Sequence, residues 1–184
     1  KFVDLDFLRD VAARGSEPAR WAYDGARVLF SREPELAEVL TQVATYPEEG
    51  HEERVRSFAA QLAAWRWFFC EGAGKGNAYV QTTALAKLVL FACRLTLAHN
   101  RTLYPFHKWV LRVVEDVPDR PADLLERIDA LLAAPDQDQV DGLARTVLEH
   151  FGHDPAEVDR TWGTRFLLDT ELTWQRGGAP VDDL

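Results

Sequence analysis

The hydrophobic positions of the chain follow a helical period over most of its length. From residue 34 onward, apolar residues recur every three or four positions in segments that end at proline, glycine or asparagine. This pattern predicts helices at 34–45, 52–70, 78–98, 106–115, 122–133, 140–151 and from 155 to about 174. The short connections between them are typical of an antiparallel helical bundle.

The N-terminal part shows a different pattern. Residues 1–7 alternate apolar and charged side chains, and 26–31 is a short apolar run after an Asp-Gly turn, so both are predicted strands. Short helices are predicted between them. We therefore expect a mainly α protein in three parts, with a β/α remnant at 1–33, the helical bundle at 34–176 and a loose tail at 177–184.

Composition and charge limit the classes of partner. The 184 residues carry a formal net charge of −9, with 47% hydrophobic residues. An acidic chain is unsuited to binding the phosphate backbone of nucleic acids, so no nucleic-acid partner is predicted. Lys87 and Arg94 interrupt the longest apolar stretch, and nothing resembles a signal peptide, so no membrane partner is expected either.

Cysteine and histidine spacing gives no metal motif. Cys70 and Cys93 lie in apolar helical patterns and match no zinc spacing, which predicts reduced thiols and a cytoplasmic location. The five histidines form no HExxH pattern, so a metal held by histidines is not expected.

The stretch EGAGKGN at 71–77 is the strongest candidate for chemistry. Glu71 and Lys75 are four residues apart, so a continuing helix would place them on one face. Each of the three glycines costs about 1 kcal/mol relative to alanine inside a helix, which an exposed ion pair worth a few tenths does not offset. Two explanations stay open at this point: a joint between two helices, or a ligand that approaches the backbone closely.

This stretch resembles the Glu-x-Ala-Gly-Lys element that opens the helical C-terminal domain in the kanamycin nucleotidyltransferase family. Upstream, 1–7 (KFVDLDF) resembles the end of that family's sheet, and 26–40 (ARVLFSREPELAEVL) resembles the segment leading out of it. Downstream, 93–109 (CRLTLAHNRTLYPFHKW) resembles the second bundle helix and its turn. The resemblance covers about 1–115, and it makes 1–33 the C-terminal end of a nucleotidyltransferase α/β domain.

The resemblance implies roles for individual residues. Glu71 would be the general base that takes a proton from a substrate hydroxyl, and Lys75 would contact the phosphates of a magnesium-bound ATP or other nucleoside triphosphate. Lys108, in a polar turn, is a candidate second phosphate contact. Asp4 would be the third metal-binding carboxylate of the family.

One family element is missing from the sequence. Members carry a Gly-Ser turn followed by an Asp-x-Asp pair that binds magnesium, and the only Gly-Ser here, at 15–16, has no such pair after it. We expect these elements to lie before Lys1. Catalytic activity therefore depends on residues outside this sequence.

The function expected is transfer of a nucleoside monophosphate from ATP or another nucleoside triphosphate to a hydroxyl of a small, aminoglycoside-like acceptor. The family also allows a homodimer with a site shared between two chains. One alternative is a non-catalytic helical module that binds a substrate or a partner. A weaker alternative is a HEPN-type ribonuclease, because Arg94 and His99 match the loose Arg/His spacing of that class, although five residues on a helix separate side chains by about 140°.

Overall fold

The computed structural model describes residues 2–177, apart from the side chain of Arg176, together with Val181. Within these residues the chain is helical and contains no strand. The helices are α1 (Leu5–Arg14), α2 (Glu17–Trp21), α3 (Leu36–Ala44), α4 (His51–Gly74), α5 (Ala78–His99), α6 (Val110–Asp116), α7 (Leu124–Ala133), α8 (Gln137–His150) and α9 (Pro155–Asp169), followed by a 3₁₀ turn at Thr173–Arg176.

The predicted mainly α fold with a helical bundle is confirmed, and α4 to α9 form the bundle. The long helices α4 and α5 are antiparallel neighbours at its centre, and α8 packs on both. Large side chains in their middle turns are fully buried, among them Leu62, Leu88 and Phe91. A helix that is apolar on most sides must be covered on most sides, and α6 to α9 supply that cover.

Helix α5 is the one described helix that is long and apolar enough to cross a membrane. In the fold, 61% of its most apolar window is buried among the other helices. The same composition therefore serves as the central helix of a packed core.

Helices α1 to α3 form a smaller unit, called here the N-terminal module. Leu8 and Val11 of α1 pack against Val39 and Val43 of α3 in a hydrophobic cluster separate from the bundle core. Helix α3, which the sequence interpretation assigned to the bundle, therefore lies with α1 and α2.

The strand predicted at 1–7 was wrong. The Asp4 carboxylate accepts a hydrogen bond from the Phe7 backbone N–H, 2.8 Å away, and so begins α1 as its N-cap. Leu8 and Val11 then follow a helical rather than an alternating spacing toward the module core. The capping aspartate outweighs the apolar–charged alternation.

The strand predicted at 26–31 was also wrong. Gly25 adopts a left-handed conformation (φ 70°) in the predicted turn, but the residues after it are irregular. A strand needs a neighbour for its backbone hydrogen bonds, and the described residues supply none. The β remnant is thus absent from the described part of the chain.

Most of the predicted tail, residues 178–180 and 182–184, lies outside the described residues. Val181 is buried against the bundle core, and its carbonyl accepts a hydrogen bond from Arg94 Nη1 at 2.7 Å.

Arg20 holds the N-terminal module together. Its buried guanidinium donates to four carbonyl oxygens at the ends of α1 and α3, those of Ala12, Gly15, Gln42 and Thr45. Burial lowers the pKa of Arg20, with the nearby Arg54 acting in the same direction. Carbonyl oxygens in the last turn of a helix generally lack a partner within the helix, although that of Gln42 also accepts from the Thr45 N–H at 3.3 Å. Arg20 therefore satisfies groups that would otherwise be costly to bury.

Glu17 attaches the module to the bundle. Its Oε2 accepts from the Tyr104 backbone N–H at 2.9 Å, and its Oε1 lies 3.5 Å from Arg94 Nη2. Both side chains are buried, with 7% and 2% of their surface exposed. The Arg94 guanidinium also lies over the rings of Phe58 and Tyr104, and these cation–π contacts help to stabilise its buried charge.

Loss of the Glu17 carboxylate should destabilise the protein strongly. Burial lowers the pKa of Arg94 and Glu17 counteracts this, so Glu17→Gln leaves a buried guanidinium without its counter-charge. We expect a loss of about 3 kcal/mol in the free energy of unfolding, measured by urea denaturation. The exposed Glu126→Gln on α7 should change it by less than about 0.5 kcal/mol. Equal effects of the two variants would show that the pair contributes no net stability.

Candidate functional site

The turn between α4 and α5 places Glu71 and Lys75. Helix α4 ends in a Schellman motif, in which the Asn77 N–H donates to the Gly72 carbonyl at 2.8 Å and the Gly76 N–H to the Ala73 carbonyl at 3.1 Å. The Asn77 side chain then caps α5 by accepting from the Val80 N–H at 3.2 Å. The chain reverses over three residues with these hydrogen bonds satisfied, so the turn is rigid rather than a flexible joint.

The three glycines have different physical reasons. Gly76 adopts a positive φ of 62°, which the Schellman motif requires at this position. A Cβ at Gly72 would lie 2.9 Å from Gln81 Cγ and 3.0 Å from the Gln81 backbone nitrogen, so Gly72 permits the close approach of α5. Gly74 has open space around it, and the fold gives no reason for glycine there.

Glu71 and Lys75 form an ion pair on the last turn of α4. Lys75 Nζ lies 2.5 Å from Glu71 Oε2, with 73% of the lysine and 37% of the glutamate side chain exposed. Such an exposed pair contributes a few tenths of a kcal/mol. Because neither group is locked in place, both are accessible to a ligand.

An apolar pocket of about 240 Å³ opens beside this pair. It is lined by Trp67, Phe68, Glu71, Gly72, Lys75, Asn77 and Val80. The Trp67 ring is half-exposed and contacts Phe68 and Trp162, with ring centroids 5.0 and 5.8 Å apart. Aromatic walls beside one carboxylate and one ammonium suit a small molecule with a ring and polar substituents.

The other predicted site residues lie elsewhere in the fold. Asp4 caps α1 in the N-terminal module and lines a groove with Arg9 and Leu36. Lys108 is exposed in the loop before α6, with its Nζ 5.1 Å from the centre of the Trp109 ring. Among the described contacts, none joins Asp4 or Lys108 to Glu71. The structure brings together Glu71 and Lys75, and the metal role of Asp4 and phosphate role of Lys108 stay predictions.

The described residues contain no cluster of metal ligands. In the ranges 2–177 and 181, no group of three or more histidine, cysteine, aspartate or glutamate side chains could hold a metal ion. Magnesium in nucleotide sites needs at least one or two carboxylates directed at the phosphates. Asp4 caps α1 and Glu71 pairs with Lys75 on α4, so these two carboxylates lie on different elements.

Arg94 and His99 do not form a joint site. Arg94 is directed at Glu17, whereas His99 Nε2 lies 3.1 Å from His153 Nε2 in the turn before α9. His99 also stacks on Phe151 with ring centroids 4.2 Å apart. Arg94 and His99 thus make separate contacts, and the ribonuclease alternative stays a prediction.

Several residues in these networks were not found from the sequence. Glu17 and Arg94 are separated by 77 positions and His99 and His153 by 54, so no local motif connects them. Trp162 was missed beside the pocket for the same reason. The signal that could have marked Arg94 is a charged residue in the middle of an apolar helix, because such a residue needs a buried partner.

Substitutions at Gly72 and Gly74 should have opposite effects. Gly72→Ala forces a methyl group against Gln81, and we expect a loss of about 1–3 kcal/mol in the free energy of unfolding. Gly74→Ala adds a better helix former in open space and should gain about 0.5 kcal/mol. Urea denaturation of both variants measures this. A destabilising Gly74→Ala would contradict the open space around that position.

The His99–His153 pair should make stability depend on pH. Burial, followed by the neighbouring His153 and His51, lowers the pKa of His99 to about 4, and burial also lowers the pKa of His153. The unfolded chain therefore binds more protons than the native chain between about pH 6.5 and 4, and stability falls as pH falls through this range. From pH 7 to pH 5 we expect a loss on the order of 1 kcal/mol, allowing for partial exposure.

The free energy of unfolding at pH 5 and pH 7 checks this expectation. Replacing both His99 and His153 by glutamine should remove much of the pH dependence, whereas His107→Gln, in the exposed loop before α6, should leave it unchanged. Burial also lowers the pKa of His51, so part of the dependence remains in the double variant. An unaltered pH slope in the double variant would exclude the pair as its source.

Comparison with known families finds one match. Residues 21–110 match the family described as "Domain of unknown function (DUF4037)", which is slightly under half of the chain. No curated protein matches the chain, and no solved structure does. The matched range contains the α4–α5 turn with Glu71 and Lys75, and it leaves out Asp4, Glu17 and helices α7 to α9.

Proposed function

We propose that the chain is the helical, substrate-binding part of a nucleotidyltransferase-like protein. In this proposal, a nucleoside monophosphate passes from ATP or another nucleoside triphosphate to a hydroxyl of a small molecule. The observation that supports it best is the Glu71–Lys75 pair at the mouth of an apolar, aromatic-walled pocket. A carboxylate at this position could act on a hydroxyl bound in the pocket.

Glu71 has the properties of an acceptor-side general base. Its carboxylate is accessible but lies on a helix end fixed by the Schellman motif and the Asn77 cap. A base must lie within hydrogen-bond reach of the proton that it removes, and a hydroxyl in the pocket can approach Glu71 at that range. The aromatic side chains beside it would position a ring and reduce competition from water.

Lys75 would act in two ways. In the free protein it pairs with Glu71 at 2.5 Å and neutralises the carboxylate. Because the lysine is largely exposed, an anionic group near the pocket would compete for its ammonium and leave Glu71 free to accept a proton. Binding of the anionic co-substrate would then activate the base.

Besides Lys75 and the predicted contacts Asp4 and Lys108, further residues would be needed to hold the nucleotide and its metal ions. The described carboxylates form no cluster of three or more metal ligands. Cys70 and Cys93 are unpaired thiols, which suits the reducing, cytoplasmic location that belongs to this proposal.

A second candidate function is a non-catalytic module that binds the same class of small molecule. The lack of a metal-holding cluster in the described residues favours it. Both functions use the pocket at the α4–α5 turn, and they differ in whether Glu71 has to accept a proton.

A transfer assay with the protein as its native host makes it tests the first function. The protein is incubated with ATP, magnesium chloride and a panel of polyhydroxylated amines, including aminoglycosides, and products are examined by mass spectrometry. We expect a product that carries an added nucleoside monophosphate. Glu71→Gln should lower kcat by about 100-fold or more and change acceptor binding by less than about tenfold, because the amide cannot accept the proton.

Glu52→Gln, at the other end of α4, is the matched control and should leave kcat unchanged. Transfer that continues unaffected in Glu71→Gln would exclude Glu71 as the base. Acceptor binding by calorimetry without any transfer, abolished by changes at Glu71 or Trp67, would establish the binding module instead.

A further inference from the structure

The segment at 26–31, predicted as a strand and irregular in the fold, exposes large apolar side chains. Leu29 has 96% and Phe30 80% of its surface exposed, and Val28 is also exposed. Adjacent apolar side chains that are exposed to this extent are unusual unless another molecule covers them. The N-terminal module has too small a core to bury them, since that core consists of a few side chains of α1 and α3.

The backbone of this region is also unsatisfied within the described structure. Residues 27–32 make no backbone–backbone hydrogen bond to the described residues. Their composition, with valine, leucine and phenylalanine in succession, favours a strand. An apolar run with free backbone N–H and C=O groups is a template on which another strand can pair.

A groove accompanies the segment. It has a volume of about 650 Å³ and lies between residues 25–28 and the outer face of α3, where Ala37, Leu40 and Ala44 form an apolar wall. The small side chains of this wall leave room for an additional extended segment.

Charges at both ends of the segment indicate the nature of the occupant. Arg27 and Arg32 are exposed, and neither has a carboxylate partner among the described residues, in a chain whose net charge is −9. Most other arginines of the described part are paired, for example Arg9 with Asp6 and Glu35. Two unpaired guanidinium groups on either side of an apolar run are complementary to a strand with carboxylates at both ends.

A second copy of the chain is a poor occupant. Symmetric antiparallel pairing of the segment with itself places Arg27 opposite Arg32 of the other copy, and parallel pairing places each arginine beside its own equivalent. Like charges directly opposite each other destabilise strand pairs. The charge pattern therefore favours a different polypeptide.

We propose that residues 27–32 form a docking site for a β-strand of a partner polypeptide, apolar in its middle and acidic at both ends. The segment becomes a strand when it pairs through its backbone, and side chains of the partner strand then flank Leu29 on one face of the pair and Phe30 on the other. Arg27 and Arg32 select the partner by its charges. This site is independent of the pocket at Glu71 and of the proposed transfer reaction.

Binding of synthetic strand peptides to the full chain tests this inference. The probe is a fluorescent peptide, Glu-Glu-Val-Thr-Val-Thr-Val-Glu-Glu, followed by anisotropy at low salt. One comparison peptide has lysine in place of every glutamate, and another carries N-methyl groups on alternate backbone amides. The acidic probe should bind at least about tenfold more tightly than either, because pairing needs both the carboxylates and the backbone N–H groups.

Variants of the chain assign the binding to the segment. Phe30→Ser and Arg27→Glu should each weaken binding of the acidic probe by about tenfold. The double change Arg27→Glu/Arg32→Glu should make the chain bind the lysine peptide more tightly than the acidic one. Tyr79→Ser removes an aromatic side chain that is equally exposed on α5, and Arg145→Glu reverses an exposed arginine on α8. Both controls should bind the acidic probe as the natural chain does.

Three results would overturn the proposal. If the acidic and lysine peptides bound equally well, Arg27 and Arg32 would not select the partner by charge. If the N-methylated peptide bound as well as the acidic probe, binding would not involve backbone pairing. A concentration-dependent dimer in sedimentation velocity that Phe30→Ser abolishes would identify a second copy as the occupant.

Discussion

The buried ion pair between Glu17 and Arg94 is the interaction on which the arrangement of the whole chain depends. Helices α4 to α9 share one core and α1 to α3 share another, so the two cores need a connection. Glu17 supplies it from a five-residue helix by contacting both the Arg94 guanidinium and the Tyr104 N–H. A buried charge tolerates few alternative arrangements, because its partner must lie at a defined position.

The second constraint is the close approach of α4 and α5. Gly72 lets the helices come together, and the Schellman motif and the Asn77 cap fix how the chain turns. As a result, Glu71 and Lys75 project from a rigid helix end next to Trp67 and Phe68. The same contacts that make the turn compact thus place two reactive groups at the edge of an apolar pocket.

The sequence was informative where the determinants of structure are local. Hydrophobic periodicity identified the bundle, and the spacing of Glu71 and Lys75 identified their ion pair. It failed at residues 1–7, where one capping aspartate outweighed the alternation, and at 26–31, where a strand pattern has no described neighbour. It also missed contacts between distant positions, such as Glu17–Arg94. A charged residue in an apolar helix indicates that a buried partner exists, but it does not indicate which residue that partner is.

The four carbonyl contacts of Arg20 have a consequence for the order of folding events. These contacts join positions 5 to 25 residues away, whereas Glu17 reaches a partner 77 residues away. Closing a short loop costs less conformational entropy and happens sooner than closing a long one. The helices around Arg20 are therefore expected to assemble before Glu17 contacts Arg94. The short helix α2 contains both Arg20, whose contacts form early, and Glu17, whose contact with Arg94 forms late.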